Sequence, residues 1–317
     1  MTEDADPIEG GVMIPYLLRR GAYTVVVMLG AATMMFVVTR LSGDPVALFV
    51  GDAATAEDIV RVRALMGFDA PVWVQYVRYL GQVATGDLGT SFRYERPVVG
   101  LVLTALLPTL TLTIATTLLA TVLGVVMGIV SAVRRNSIVD HLSMFLAVLG
   151  QCLPVFLTAI VAVLLFAVRL RWLPTSGWGS VSAGILPVGT LTLYVVGRIA
   201  RMTRSAMLEV LGSDFIRTAR AKGLSPAVVV GVHALKNAAI PVVTISGATF
   251  AALLGGLVVT ETVFGIPGLG QLLVRAVLVR DFPLAQGAIL VIAFMVTWVN
   301  LLIDLTYVFF DRRIAYE

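Results

Sequence analysis

Three cations and a glycine give the segment Arg217 to Gly223 the clearest chemical signal in the sequence. Arg217, Arg220 and Lys222 are separated by small residues. Guanidinium groups bind carboxylates in a bidentate fork, and small neighbours let a second protein surface come close. An amphipathic connector lying on anionic lipid would use the same residues. Residue chemistry alone leaves both interpretations open.

Local signals predict a helix, a sharp elbow and a second helix around these cations. Ser213 is a good N-cap residue, and Asp214 suits the first turn of a helix. Gly223 follows the basic residues at the position where a left-handed conformation ends many helices. Ser225 and Pro226 then supply an N-cap and a first helical residue. The segment is therefore predicted to be rigid.

Signatures of catalysis and metal binding are missing from the sequence. It has no G-x-x-x-x-G-K-[ST] segment for nucleotide phosphates and no H-E-x-x-H segment for zinc. His141 and His233 are isolated, and Cys152 is the single cysteine. We therefore predict no catalytic residue, no metal site and no directly bound cofactor. An intramembrane hydrolase would need a Ser/His or metal constellation that these positions do not supply.

Composition predicts an integral membrane protein. The 317 residues are 58% hydrophobic and 13% charged, with a mean hydropathy of +0.96. A bilayer crossing needs about 20 apolar residues. Six stretches qualify: Gly21–Thr39, Pro97–Val133, Leu142–Val168, Trp172–Gly197, Asn237–Thr260 and Phe282–Ile303. In the second stretch, the crossing is predicted to start at about Pro108, after an interfacial helix at 97–107. In the fourth, residues 172–184 are predicted to form a loop, and the crossing to start at about Ile185.

Charge placement predicts that both termini are cytoplasmic. Lys and Arg concentrate in segments that share a side with the amino terminus, including the loop at about 198–236. The net charge of +4 is explained by this retention and by lipid contact, so we predict no nucleic-acid partner. Residues 1–13 are predicted to form a disordered tail, and residues 14–317 a single transmembrane domain.

The outer loop at about 41–107 is predicted to be helical. Thr55 and Asp58 have capping-box spacing, and Gly67 stands where a helix would stop. Behind Pro71, an apolar face at helical spacing is predicted to pack down on the membrane portion as a small cap: Trp73, Tyr76, Val77 and Leu80.

In order and spacing, a series of motifs resembles permease subunits of binding-protein-dependent ABC importers, in the branch that imports dipeptides, oligopeptides and nickel. The central one is "DFIRTARAKGLSPAVVVGVHALKNAAIPVVT" from Asp214. The others extend over most of the chain: "SGDPV", "GDLGTSF", "LPTLTLT", "LPVFL", "WLPTSGWGS", "ARMTRSAMLEVL", "ETVFGIPGLG" and "NLLIDLTYVFFDRRI".

This resemblance implies a fold and a set of partners. The fold is an all-α integral membrane protein with six transmembrane helices, of the type I ABC importer kind, in a bacterial inner membrane. The implied partners are a second homologous permease, two cytoplasmic ATPase subunits that bind ATP and Mg, an extracytoplasmic substrate-binding protein, and lipid. The helix ending at Gly223 resembles the coupling helix that seats on an ATPase, with these residues: Asp214, Arg217, Thr218, Ala219, Arg220, Ala221, Lys222 and Gly223.

The chain departs from the broad superfamily pattern E-A-A-x-x-x-G. Aligned on Gly223, the pattern falls on Arg217, Thr218 and Ala219, so arginine replaces the acidic residue. A salt bridge made by that acidic residue is therefore not transferred. We expect instead an acidic ATPase residue facing Arg217 or Arg220.

The resemblance predicts a permease for short peptides that couples ATPase cycles to alternating access. A nickel or glutathione importer of the same architecture remains an alternative. An ion-coupled carrier is disfavoured because carboxylates such as Glu261 and Asp304 fall only at the ends of apolar stretches. In "ETVFGIPGLG", Glu261, Phe264 and Pro267 are candidates for an outer gate, against the alternative of a turn-rich loop with a surface glutamate.

Overall fold

Apolar runs in this chain become helices, because in lipid the backbone must satisfy its own hydrogen bonds. The computed structural model describes residues 9–41, 55, 57, 60, 63 and 69–310, with no strand among them. The helices that these ranges contain are α1 (Glu9–Leu41), α2 (Val72–Ala84), α3 (Val98–Val133), α4 (Ile138–Cys152), α5 (Val155–Arg169), α6 (Val181–Leu211), α7 (Asp214–Ala221), α8 (Pro226–Gly256), α9 (Val258–Phe264), α10 (Leu269–Leu278) and α11 (Phe282–Phe310).

Five of these helices are long and apolar enough to cross a membrane: α1, α3, α6, α8 and α11. Two further pairs qualify only as bent units. The angle is 98° between α4 and α5 and 87° between α9 and α10. The described residues thus allow five to seven crossings, and the predicted number of six lies within that range.

The predicted third crossing is wrong as a single straight helix. Leu142–Val168 is broken at Leu153, which has an extended backbone with φ −83° and ψ 130° before Pro154. A proline disfavours the helical conformation of the residue before it and donates no backbone hydrogen bond. The apolar composition predicted membrane burial, and the Leu-Pro pair breaks the helix.

Pro108 marks a boundary in packing but not in secondary structure. The separate interfacial helix predicted at 97–107 is wrong, because α3 runs unbroken from Val98 to Val133 with Pro108 inside it. The described residues nevertheless group into two compact units. The first unit contains the described residues up to Leu107 together with Pro267–Trp298, and the second contains 108–266 and those from 299.

Two helices begin earlier than predicted. α1 begins at Glu9, so residues 9–13 of the predicted disordered tail are helical, and residues 1–8 lie outside the described part. α6 begins at Val181, within the predicted loop, because the Ser180 hydroxyl caps it by accepting a hydrogen bond from the Ala183 amide at 3.3 Å.

In the first unit, α2 packs on α1 through a face that differs from the predicted one. The Tyr76 hydroxyl lies 2.6 Å from the Thr33 hydroxyl, and the Tyr76 ring lies edge-on to Phe36 at 5.1 Å. Trp73 and Val77, predicted to share this buried face, are 70% and 61% exposed. Asp58, Gly67 and the motif at 42–46 lie outside the described residues.

A buried carboxylate organises the "GDLGTSF" segment of the same unit. Asp281 is 1% exposed and precedes α11. It accepts hydrogen bonds from the Ser91 hydroxyl and from the amides of Phe92, Arg93 and Leu284. This motif is therefore fixed to the start of α11, an arrangement that the spacing of the residues in sequence did not reveal.

In the second unit, glycines let α6 approach its neighbours at backbone distance. A Cβ atom on Gly197 of α6 would lie 2.0 Å from the Ala147 carbonyl oxygen of α4, and one on Gly150 of α4 would lie 2.4 Å from the Leu193 oxygen of α6. On α3, a Cβ atom on Gly128 would lie 2.7 Å from the Ala200 oxygen of α6. Small residues are common in such membrane helix contacts.

Candidate functional site

The short basic helix α7 is attached to the second unit by one narrow face. Ile216 and Ala219, three residues apart, are buried against Ala206 and Met207 of α6, and the same cluster includes Val229 of α8. Side chains three residues apart share a helix face. The apolar pair therefore fixes which side of α7 faces outward.

The outward side carries seven of the eight predicted coupling residues: Asp214, Arg217, Thr218, Arg220, Ala221, Lys222 and Gly223. Arg217 donates to the Asp214 carboxylate at 2.9 Å, and both side chains are mostly exposed. Exposed ion pairs contribute little to stability. This pair therefore presents little obstacle to a carboxylate arriving from another protein.

Ala219, the eighth predicted coupling residue, does not lie on that exposed face. It is 8% exposed and belongs to the apolar cluster that attaches α7. A small residue in a basic helix suits either close approach by a partner or close packing within the chain. Here it packs within the chain, among the residues that attach α7 to α6.

The predicted elbow at Gly223 is confirmed. Gly223 has φ +77°, a conformation that costs other residues about 1–2 kcal/mol. Its amide donates to the Arg220 carbonyl at 3.0 Å, and the Leu224 amide donates to the Ala219 carbonyl at 3.4 Å. These two bonds form a Schellman motif, which satisfies the last carbonyl groups of α7 and turns the chain sharply.

The predicted side-chain caps at Ser213 and Ser225 are wrong, although both serines occupy N-cap positions. The Ser213 hydroxyl donates to the Val210 carbonyl at 2.6 Å. Because α6 ends only two residues before Ser213, its terminal carbonyl groups compete for that hydroxyl. Pro226 begins α8 as predicted, so its fixed φ starts the helix without a side-chain cap.

The two histidines lie in different helices, α4 and α8. His141 Nδ1 lies 2.8 Å from the Ser137 carbonyl oxygen, and His233 lies in a π-helical stretch of α8 at Val229–Ala234. Among the described residues there is no group of three His, Cys, Asp or Glu side chains that could hold a metal ion.

Glu261 and Phe264, two of the predicted gate residues, are buried at 0% and 1% exposure in the second unit. Glu261 accepts a hydrogen bond from the Thr109 hydroxyl at 2.6 Å. The alternative of a surface glutamate is therefore wrong. Pro267, the third gate candidate, is exposed and belongs to the first unit.

Thr109→Val tests the bond to Glu261. Removing the partner of a buried polar group costs about 1–3 kcal/mol, so we expect a lower midpoint of thermal unfolding in detergent. Thr104→Val on the same helix is the control, because the exposed Thr104 hydroxyl only bonds its own helix at the Gly100 carbonyl. Equal midpoints for the two variants would contradict the assigned bond.

Sequence reasoning missed an ion pair near the end of α6. Arg204 donates from Nε and Nη2 to the two oxygens of Asp140 at 2.8 and 2.7 Å. The Asp140 amide donates to the Ser137 hydroxyl at 3.2 Å, which caps α4. The spacing Ser137-x-x-Asp140 was a usable N-cap signal for the start of α4, but nothing local indicated Arg204 as the partner.

Comparison with known families identifies the chain. The model of one family, the binding-protein-dependent transport system inner membrane component, matches residues 124–316, which is more than half of the sequence. The chain belongs to this family. A second model, for the N-terminal part of such membrane components, matches residues 13–115 of this permease.

Whole-length relatives support the assignment to a binding-protein-dependent ABC importer permease. A dipeptide transport system permease protein of Alkalihalophilus pseudofirmus is 39% identical, and a glutathione transport system permease protein of Salmonella paratyphi A is 42% identical. A provisionally named peptide transport system permease protein of Brucella melitensis is 41% identical. Each alignment covers 96% of this chain and 100% of the relative.

A solved structure supports the fold of this permease. A chain of the MetNI methionine ABC transporter in an inward-facing conformation matches with a TM-score of 0.58 at 19% identity. The match covers 67% of this chain and 96% of that one. The all-α permease fold is thus shared with a structurally characterised importer.

Proposed function

We propose that this permease moves short peptides into the cytoplasm as the membrane subunit of an ATP-driven importer. The observation that carries the proposal is whole-length similarity to a permease named for dipeptide transport, at 39% identity. A similarity that includes both ends of the relative leaves no domain of that protein unmatched.

The proposed assembly contains one copy of this chain, a second homologous permease, two cytoplasmic ATPase subunits and an extracytoplasmic binding protein. ATP and Mg bind to the ATPases, and this chain is not itself an enzyme. Both termini and α7 lie on the cytoplasmic side. This orientation follows from the placement of Lys and Arg, which are retained on that side of the membrane.

In this proposal α7 is the coupling helix. Its exposed cations bind acidic residues of an ATPase, while Ile216 holds its opposite face on α6. Motion of the ATPases on binding ATP would then carry α7 inward and open the substrate cavity to the outside. A lever of this kind needs a fixed end, and the Schellman motif at Gly223 supplies one.

We further propose that the turn from Glu261 to Pro267 acts at the outer gate. Burial of Glu261 with its bond to Thr109 fixes one end of the turn, and Gly265, with φ +63°, ends α9 in a left-handed conformation. A gate needs one such anchored end, so that the remainder can move without unfolding.

Glutathione is a second candidate substrate, because a glutathione permease is 42% identical over 306 residues. The permease is purified with its co-expressed partners, reconstituted in vesicles, and supplied separately with radiolabelled dialanine and glutathione. We expect ATP-dependent dialanine uptake that stops when the ATPases are left out. Uptake of glutathione alone would overturn the peptide proposal, and uptake without ATPases would overturn the ATP-driven mechanism.

A further inference from the structure

We propose that Asp140 and Arg204 are a positioning pair that makes α7 move as one block with the ends of α3, α4 and α6. The inference rests on the proposed function, because it concerns how ATPase-driven motion of α7 reaches the membrane helices. Asp140 lies in the first turn of α4, and Arg204 lies about two turns before the end of α6.

The geometry of the pair fixes the relative orientation of the two side chains as well as the distance between them. Two parallel bonds, from Nε and Nη2 of Arg204 to the two Asp140 oxygens, hold the guanidinium plane against the carboxylate. The side chains of Asp140 and Arg204 are 4% and 27% exposed. Because little water reaches the carboxylate, the pair has few competing partners.

The same carboxylate also holds the end of α3. The Ser131 hydroxyl, near the last turn of α3, donates to one Asp140 oxygen, and the Asn136 amide donates to the other at 2.9 Å. Asn136 has φ +62° in the turn between α3 and α4. A single side chain therefore joins two helix ends, their connecting turn and α6.

α7 is attached next to this junction. Its buried residue Ile216 packs in a cluster with Ala132, the neighbour of Ser131 on α3. The same cluster contains Ala206 and Met207, which directly follow the Arg204 turn on α6. A force on α7 would thus be transmitted to α3 and α6 within about one helical turn of the ion pair.

Stability alone does not account for such a pair. Desolvation offsets much of the attraction between buried charges, and apolar residues often replace them without loss. Glycine contacts already hold the middle of α6, where Gly197 meets Ala147 and Gly128 meets Ala200. The distinct contribution of the pair is to fix the last turns of α6 relative to α4.

Arg204→Lys tests this role, because lysine keeps the charge and loses the fork. In vesicles with the partner subunits, we expect ATP hydrolysis to continue while dialanine taken up per ATP falls roughly tenfold or more. Arg201→Lys is the matched control: it lies on the same helix and donates to Gln151 at an exposed site. We expect the amount of dialanine taken up per ATP hydrolysed in Arg201→Lys to equal that of the wild type.

Asp140→Asn is a second variant, because it removes the charge and keeps the shape. If dialanine uptake per ATP hydrolysed is unchanged in both Arg204→Lys and Asp140→Asn, the proposal is overturned. A parallel fall of hydrolysis and uptake would also overturn it, since that result indicates a merely structural contribution.

A distance measurement tests the same block without any substrate. Spin labels are placed at His141→Cys on α4 and at Phe215→Cys on α7, an exposed position outside the proposed docking residues, with Cys152→Ser removing the native thiol. In the complex assembled with its ATPases, we expect the distance between labels to be the same with and without trapped ATP, and to differ between those states in Arg204→Lys.

A change of that distance in the complex carrying native Arg204 would overturn the rigid block. If dialanine is not taken up but the distance pattern holds, the peptide proposal fails and the positioning pair stands.

Discussion

Replacing Gly197 by alanine is expected to lower both the amount of folded protein in the membrane and its midpoint of thermal unfolding. The new Cβ atom would lie 2.0 Å from the Ala147 carbonyl oxygen, far inside van der Waals contact. The obstacle is helix backbone, so no side-chain rotation relieves it and α4 must move away from α6. Overpacking a core costs about 1–3 kcal/mol or more, and total stabilities are often only about 5–15 kcal/mol.

Gly189→Ala on the same helix is the matched control for that substitution. A Cβ atom at Gly189 meets nothing within 4 Å. Alanine there should be neutral or slightly stabilising, because it restricts the unfolded chain. The measurement is the amount of monodisperse protein extracted from membranes, with its thermal midpoint in detergent. Equal yields and midpoints for the two variants would contradict the close approach of α4 and α6.

Hydropathy predicted where apolar helices lie but not how they are shaped. Gly21–Thr39 and Phe282–Ile303 correspond to α1 and α11, because a long charge-free run has few alternatives to a membrane helix. The break at Pro154 and the continuity of α3 through Pro108 were both mispredicted. A proline disrupts one turn in either case, and tertiary contacts decide whether the helix continues.

Prediction of the candidate site succeeded where the chemistry is local. Gly223 ends α7 as expected, since its left-handed conformation is set by the bonds of neighbouring residues. The burial of Ala219 could not be read from sequence, because alanine suits an interface and a core equally well. The burial of Glu261 was not predicted for another reason: its partner Thr109 lies far away in the chain, on α3.

The ion pair between Arg204 and Asp140 could not be predicted for the same reason, because its partners are far apart in the chain. Both its charged residues were visible in the sequence, and the charge pattern assigned Arg204 to membrane retention. Pairing with Asp140 depends on α6 passing α4 at a distance that Gly150 and Gly197 permit. This contact follows from glycine-mediated packing of α6 on α4, so it becomes visible only once the helices are placed.

Gly223→Arg is expected to abolish ATP-driven uptake while leaving the permease in the membrane. The substitution forces a side chain into φ +77°, which costs about 1–2 kcal/mol and favours loss of the Schellman bonds from Gly223 and Leu224. A Cβ atom there meets nothing within 4 Å, so the fold of the membrane helices is not obstructed. The lever would lose its fixed end, and the ATPases would lose the elbow of their proposed docking surface.

Two further variants separate geometry from added charge in this experiment. Gly231→Arg adds the same side chain in the following helix, at an exposed glycine of the π-helical stretch, where the backbone is not left-handed and no atom lies near the Cβ position. Gly223→Asn tests the backbone requirement, because asparagine tolerates the left-handed conformation better than arginine does. We expect normal uptake in Gly231→Arg and partial uptake in Gly223→Asn.

Co-purification of the ATPases and vesicle uptake of dialanine are measured for all three variants. If Gly223→Arg alone loses both ATPase co-purification and dialanine uptake, the elbow at Gly223 is required for coupling. If Gly223→Arg retains wild-type ATPase association and uptake, α7 is a membrane-surface connector, and coupling must pass through another part of the permease. If Gly231→Arg fails equally, the added charge is responsible and the left-handed turn is not.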